Sequence, residues 1–331
     1  MKKNEKILTI SVAAYNLGDM IKKNLDSFVK LKQKDLVEVI VTNDGSTDNT
    51  KAIIENYVNK YPNIIKLIDK KNEGAGSTVN SGIKNATGKY FKMVDGDDWV
   101  NTENLDLLIE KLKTIDCDMI LNNFDVFSNY KNKIIESVSI PTLKSDTIYN
   151  ITEIPSQLSL KMHSITYKTS ILKDNNILLD NGFYTDQEFV LFPLKFVNSV
   201  IYYDISIYVY MVGREGQSIS IDSLKKHVDM HDLVLKHLME FYVNSKKCNA
   251  ASIMKKRILN MSITHLNILL SLKMDKKNIN NIKKFCNYLK KNDIDIYNSF
   301  KNTKKASIII NSNYHLLKPL SILYKMKLKL N

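Results

Sequence analysis

Two hydrophobic periods alternate through the first hundred residues, and that alternation most constrains what the chain can fold into. Four short apolar runs, Ile7–Ala14, Val37–Thr42, Ile64–Ile68 and Tyr90–Val94, read as buried strands. Between them, Asp19–Lys32, Asp48–Tyr61 and Ser77–Ala86 have helical spacing; in the first, Met20, Leu25, Phe28 and Leu31 form one face. Apolar strands linked by helices of this length imply βαβ units and an α/β, mostly parallel sheet with both faces covered. Ligands of such sheets bind beyond the carboxyl ends of the strands. That rule singles out Ala14–Asn16, Asn43–Ser46, Lys71–Gly76 and Asp95–Asp98.

Further along, Thr102–Leu112 reads as a helix and Met119–Phe127 as a strand, while residues 128–160 are polar and unpatterned. Helices are predicted over Tyr167–Asp174 and Gln187–Phe196, and strands over Val200–Tyr203 and Ile207–Val212. Beyond Ser223 the pattern changes to long helices rich in Lys and Asn, with one weak strand signal at Ile308–Ile310. Charge changes at the same place. Residues 223–331 hold 22 lysines and arginines against 6 acidic residues, a net of +16, and residues 1–222 carry a net of −3. An α/β domain over 1–222 and a basic helical domain over 223–331 are therefore expected.

The overall charge of +13 invites a polyanion-binding reading, but Arg214 and Arg257 are the only arginines. Nucleic-acid recognition favours the planar, bidentate guanidinium, so a lysine excess argues against a nucleic-acid partner. The three cysteines, Cys117, Cys248 and Cys286, lie far apart without a metal or disulfide spacing, which fits a reducing, cytoplasmic setting. The N-terminal run resembles a first strand rather than a signal peptide, and no uncharged apolar stretch is long enough to span a bilayer.

Three segments carry chemistry. In Val94-Asp95-Gly96-Asp97-Asp98-Trp99, three carboxylates fall within four residues at the end of a strand. Carboxylates this crowded repel one another, and a hard divalent cation such as Mg²⁺ or Mn²⁺ relieves the repulsion. A solvated acidic turn capping the next helix is the alternative. Asn43-Asp44-Gly45-Ser46-Thr47-Asp48 follows the second strand, and its amides and Asp44 suit a nucleotide base, although the same residues make an ordinary turn. Ala14-Tyr15-Asn16 ends the first strand with a ring able to stack on a base or simply to pack.

In this order the segments resemble glycosyltransferase family 2, the nucleotide-sugar-dependent enzymes with the GT-A fold. The likeness covers residues 6–215. It implies that Ala13, Ala14, Tyr15 and Asn16 pack and stack the base, without the usual proline before the tyrosine. It implies that Asp44 contacts the base, usually uracil, with Asn43 replacing the first member of the acidic pair. By the same likeness Asn72, Gly74, Asn80 and Gly82 lie near the ribose and diphosphate, and an arginine often found before that asparagine is missing. The Asp-x-Asp motif falls on Asp95, Gly96 and Asp97, so that Asp95 meets the ribose or metal, Asp97 ligates Mn²⁺ or Mg²⁺, and Asp98 supports them. Donor binding is expected over about 1–100 and acceptor binding over about 101–222.

An inverting transfer needs a carboxylate to take the proton from the acceptor hydroxyl. The family's Glu-Asp pair aligns with Thr185-Asp186, making Asp186 the expected base and Glu188 the reserve. Arg214, Gln217 and Ser218 follow the last strand, where related enzymes close over the diphosphate; an exposed loop is the alternative. His163 lies where acceptor-side residues occur. His227 and His231, four apart, lack a third metal ligand and read as solvated helix residues. At the end, residues 314–330 interleave leucines with lysines, which suits either peripheral contact with an anionic membrane at its inner face or a helical layer exposing lysines to water.

The combined expectation is a metal-dependent transferase moving sugar from a UDP-sugar to a glycan or lipid-linked acceptor in bacterial surface polysaccharide synthesis. Two rivals remain: a nucleotidyltransferase on a similar sheet, and a non-catalytic basic membrane- or polyanion-binding protein.

Overall fold

The computed structural model describes residues 5–213 and 221–330. Its backbone contacts divide the chain into two units, one through residue 215 and one from residue 216.

The first unit opens with β1 (Leu8–Ala14), α1 (Met20–Val29), β2 (Val37–Asp44), α2 (Thr50–Lys60), β3 (Ile65–Lys70), α3 (Ala75–Asn85) and β4 (Tyr90–Asp95). It continues with β5 (Trp99–Val100), α4 (Thr102–Leu112), β6 (Met119–Ser128), β7 (Lys133–Val138), β8 (Thr147–Asn150), β9 (Ile165–Lys168), α5 (Thr169–Asp174), α6 (Thr185–Leu191) and β10 (Ser199–Val212). The sheet runs β3-β2-β1-β4-β9-β6-β10-β5, with β7 beside β6 and β8 beside β10. Strands β1 to β4 pair in parallel, and every residue of β2 is buried. Burial on both faces is what a parallel strand covered by crossover helices requires. Ile21, Leu25 and Phe28 of α1 are fully buried, as their helical spacing demands.

Three local expectations are corrected. Ile165–Lys168 forms a strand, not the start of a helix, because Tyr167 fills the slot between β4 and β6 and pairs with Phe91 on one side and Met119 on the other. The two strands expected between 200 and 212 are one strand, β10, whose pairing with β6 shifts register around Ser206. The polar 128–160 segment, unassigned from sequence, supplies the antiparallel strands β7 and β8.

The second unit contains α7 (Ile221–Lys226), α8 (Val228–Val243), α9 (Ala251–Ser271), α10 (Lys276–Asn292), α11 (Ile294–Lys301), α12 (Lys304–Asn311) and α13 (Leu317–Leu330). Helix α9 is central and packs against α8, α11 and α13. The triple isoleucine at 308–310 belongs to α12, where Ala306 and Ile309 make a buried helical stripe. His231 is not solvated: it is buried, stacked on His265 at a ring-centroid distance of 5.2 Å, with the two Nδ1 atoms 3.2 Å apart. Burial, then proximity to His265, pushes the His231 pKa down to about 3, and burial pushes that of His265 down to about 4, so the pair is neutral at physiological pH.

Candidate active site

Strand register brings the first motifs together. Ala13 lies opposite Asp95 across one edge of β1, and Ala14 lies opposite Asn43 across the other. The turn after β4 is pressed onto the end of β1, where Gly96 N donates to Ala13 O at 3.1 Å. A Cβ on Gly96 would fall 2.6 Å from that oxygen and 2.4 Å from Leu17 Cδ1, so only glycine fits between the two carboxylates. Asn16 adopts a left-handed backbone at φ 49°, donates its N–H to Ser46 Oγ and accepts from Thr47 N at 2.8 Å. Beside it the Tyr15 ring is 50% exposed, an aromatic surface at the strand end.

Asp44 is buried and shapes the next loop. Its Oδ1 accepts from Lys70 Nζ at 2.8 Å and from Glu73 N at 3.0 Å, and its Oδ2 accepts from Gly74 N at 2.8 Å. The base-contacting role implied by resemblance thus falls on a carboxylate that already holds the Asn72–Gly74 turn in place. Asn72 itself is exposed. Asn43, Gly45, Ser46, Lys51, Asp69 and Lys70 line an open depression at this edge of the sheet.

The acidic turn contains two kinds of carboxylate. Asp98 is a cross-link, accepting from Tyr208 Oη at 2.5 Å and from Met211 N at 2.8 Å. Tyr208 Oη in turn accepts from Asp95 N, and Asn24 Nδ2 donates to the carbonyls of both Asp95 and Asp98. The turn is therefore clamped from α1 and from β10. Asp95 and Asp97 are only partly buried. Burial, then the charges of Asp97 and Asp186, push the Asp95 pKa up to about 8. Asp186, 91 positions away in sequence, lies near enough for its charge to contribute to that shift.

A tight contact brings Asp186 there. Asn80 Nδ2 donates to Leu179 O, and Asn80 Oδ1 accepts from Leu179 N, both at 2.9 Å. A Cβ on Gly76 would lie 1.8 Å from Asp180 O, and one on Gly74 would lie 2.5 Å from Gly182 N. The start of α3 and residues 179–185 are thus in backbone contact, and Asn80 serves as their clasp. Tyr184, at φ 67°, turns the chain into α6, and Gln187 Nε2 donates to Asp186 Oδ2 at 2.7 Å. Glu188 is buried, accepts from Asp180 N at 2.7 Å, and burial pushes its pKa up to about 8.

Sequence reasoning passed over Lys92, Asn24, Tyr208 and Tyr210. Lys92 is fully buried in β4 and donates to His163 O at 2.8 Å and Ile165 O at 3.2 Å. The His163 ring packs 4.6 to 4.9 Å from those of Phe124, Tyr208 and Tyr210. Tyr210 feels the charges of Asp98, Asp95, Asp97 and Asp186 in addition to its burial. A lysine inside an apolar strand was a visible signal. Arg214, Gln217 and Ser218 lie outside the described residues.

A mixed sheet, parallel over β1 to β4, that gathers an Asp-x-Asp turn and a remote aspartate beyond its strand ends has the arrangement of the GT-A fold. The family model "Glycosyl transferase family 2" matches residues 9–175, and the chain belongs to that family. The chain is 27% identical over 228 residues to glycosyltransferase GlyA of Streptococcus pneumoniae, covering 64% of this chain and 31% of GlyA. It is 27% identical over 217 residues to the poly(ribitol-phosphate) beta-N-acetylglucosaminyltransferase TarS of Staphylococcus aureus, covering 64% of this chain and 36% of TarS. The chain thus spans about a third of the length of each relative. The crystal structure of S. aureus TarS 1–349 in complex with UDP shares the fold at a TM-score of 0.68 and 19% identity, over 96% of this chain and 89% of that one. Among the described residues no helix is long and apolar enough to cross a membrane.

Proposed function

We propose that the chain transfers a sugar, with inversion, from a UDP-sugar to a hydroxyl of a glycan or lipid-linked acceptor in bacterial surface polysaccharide synthesis. The observation that carries this reading is the convergence of Asp186 on the Asp95–Asp97 turn. It is supported by membership of the family and by the fold shared with TarS, which has been solved with UDP.

In this reading residues 1–222 do the chemistry, donor on 1–100 and acceptor on 101–222, and residues 223–331 form a basic helical domain. Tyr15 stacks on the base, Asp44 and Asn72 shape its edge, and Asn80 holds the acceptor-side loop against α3. Arg214, Gln217 and Ser218 contribute donors to the diphosphate. Asp186, oriented by Gln187, receives the proton of the attacking hydroxyl.

The all-oxygen donor set and the repulsion evident at Asp95 fit a hard divalent cation, Mn²⁺ or Mg²⁺, held by Asp97 and Asp95. Bound there, such an ion offsets the charge that develops on the leaving diphosphate.

The test is product analysis on a panel of nucleotide-sugars with Mn²⁺, Mg²⁺ or EDTA. Release of UDP with a glycoside of inverted anomeric configuration is expected. Release of pyrophosphate from a nucleoside triphosphate, with no nucleotide-sugar turned over, would assign a nucleotidyltransferase instead.

A further inference from the structure

The final helix presents an unusual outer face. α13 rests on α9 through buried Leu317 and Ser321, whose hydroxyl donates to Leu270 O at 2.7 Å. Its other side is apolar and open: Ile322 is 59% exposed, Leu323 62% and Met326 58%, and Leu316 just before the helix is 46% exposed. At about 100° per residue, Ile322, Leu323 and Met326 share one outward face, with Lys318 and Lys325 on one flank and Lys327 on the other. Single exposed leucines are ordinary, but a contiguous apolar strip rimmed by one sign of charge is not.

The charge around this strip has one sign. Asp295 is the last acidic residue, and residues 296–331 contain seven lysines and no carboxylate side chain. Lys305 lies over the Tyr324 ring at 3.8 Å, and burial followed by the Lys327 charge holds its pKa below the ordinary lysine range. Lysines thus lie close together at this end of the chain.

We propose that α13 docks in the plane of an anionic lipid surface, with Ile322, Leu323 and Met326 entering the headgroup region and Lys318, Lys325 and Lys327 meeting lipid phosphates. Among the candidate occupants, a second copy of this face would bring lysines against lysines. A soluble polyanion would meet the lysines and leave the apolar strip in water. A bilayer surface with anionic headgroups is complementary to both parts. This inference goes beyond the transferase reading and does not depend on it, because no α13 residue belongs to the proposed catalytic machinery.

The experiment is co-sedimentation of the full chain with vesicles of phosphatidylglycerol and phosphatidylcholine in equal parts, against vesicles of phosphatidylcholine alone. Binding to the anionic vesicles only, weakened by high salt, is expected. A Lys318→Gln, Lys325→Gln, Lys327→Gln variant should lower partitioning about a hundredfold. An Ile322→Ser, Leu323→Ser, Met326→Ser variant should abolish the residual binding that survives high salt. Five of the six positions are exposed and Lys325 is half-buried, so both variants should melt as the wild type does, and donor binding in solution should be unchanged. Loss of donor binding in the wild type would count against the transferase reading alone. The proposal is overturned if the chain ignores both vesicle types, if both variants bind like the wild type, or if the apolar variant only disperses a self-associated form seen by sedimentation velocity. Binding to soluble anionic polymer that the apolar variant leaves intact would likewise overturn it.

Discussion

Lys92 Nζ donates to the carbonyl of His163 at 2.8 Å from a position with no exposed surface. An ammonium inside the sheet thereby fixes the short turn that sets the His163 ring among Phe124, Tyr208 and Tyr210. Burial pushes its pKa down to about 7.

The linkage has a definite sign. Below about pH 7 both folded and unfolded chains keep this proton and the burial penalty is complete. As pH rises toward the ordinary lysine value, the folded chain is neutral while the unfolded chain still binds the proton, so the folded state gains, by up to about 1.4 kcal/mol per pH unit. Lys92→Met should lack this slope. Urea unfolding of both proteins from pH 6 to 10 should show the wild type gaining on the variant; parallel curves would refute the assignment.

Asn80→Ala separates two roles for one residue. Losing both bonds to Leu179 leaves part-buried backbone groups unpaired, at about 1–3 kcal/mol of stability. If Asn80 acts as the clasp for the loop bearing Asp186, kcat should fall while UDP affinity by calorimetry is kept. A selective loss of UDP affinity would return Asn80 to the donor site.

Gly76→Ala should be more damaging than its size implies. The added methyl meets the Asp180 carbonyl at 1.8 Å, and both sides of the contact are backbone. Overpacking of this kind costs about 1–3 kcal/mol or more. The check is the urea midpoint, together with release of the 179–185 segment in hydrogen exchange.

Asp186→Asn is expected to lower kcat by about 10²–10⁴-fold with little change in UDP affinity. Asp97→Asn should instead weaken Mn²⁺ binding and remove its stimulation of turnover. Wild-type rates in either folded variant would show that the residue does not have the role given to it.

Tyr208→Phe removes the hydroxyl that bridges Asp98 Oδ2 and Asp95 N. A cost of about 1–3 kcal/mol is expected, because both partners are left unpaired in or near the core. Weaker Mn²⁺ binding should accompany it if Tyr208 shapes the turn, and thermal melts with and without Mn²⁺ read both effects.

The first half of the sheet was legible because its strands and helices alternate in short sequence range. Ala14, Asn43 and Asp95 could be placed once the alternating periods were seen, and the helical face of α1 was apparent from Leu25 and Phe28. The clasp between Asn80 and Leu179 could not be read, since it joins segments 99 positions apart through side-chain to backbone bonds that leave no period. Tyr167 was misjudged for a related reason. Its local pattern favoured a helix, but the open slot between β4 and β6 outweighed propensity. Glu188, the reserve candidate for the base, is buried and bonded to Asp180 N, a setting its place in the helix did not reveal.

The registry of β1 has a consequence for how such a chain can change. Ala13 lies level with Asp95 and Ala14 with Asn43, so the residues proposed to bind the donor stand in one row across neighbouring strands. A single-residue insertion or deletion within β1, β2 or β4 would invert every following side chain and scatter that row. The exposed turn at 129–132, between β6 and β7, carries no such row and tolerates a change of length better. The fold thus confines changes of length to turns such as this one, away from the strand ends that gather Asn43 and Asp95.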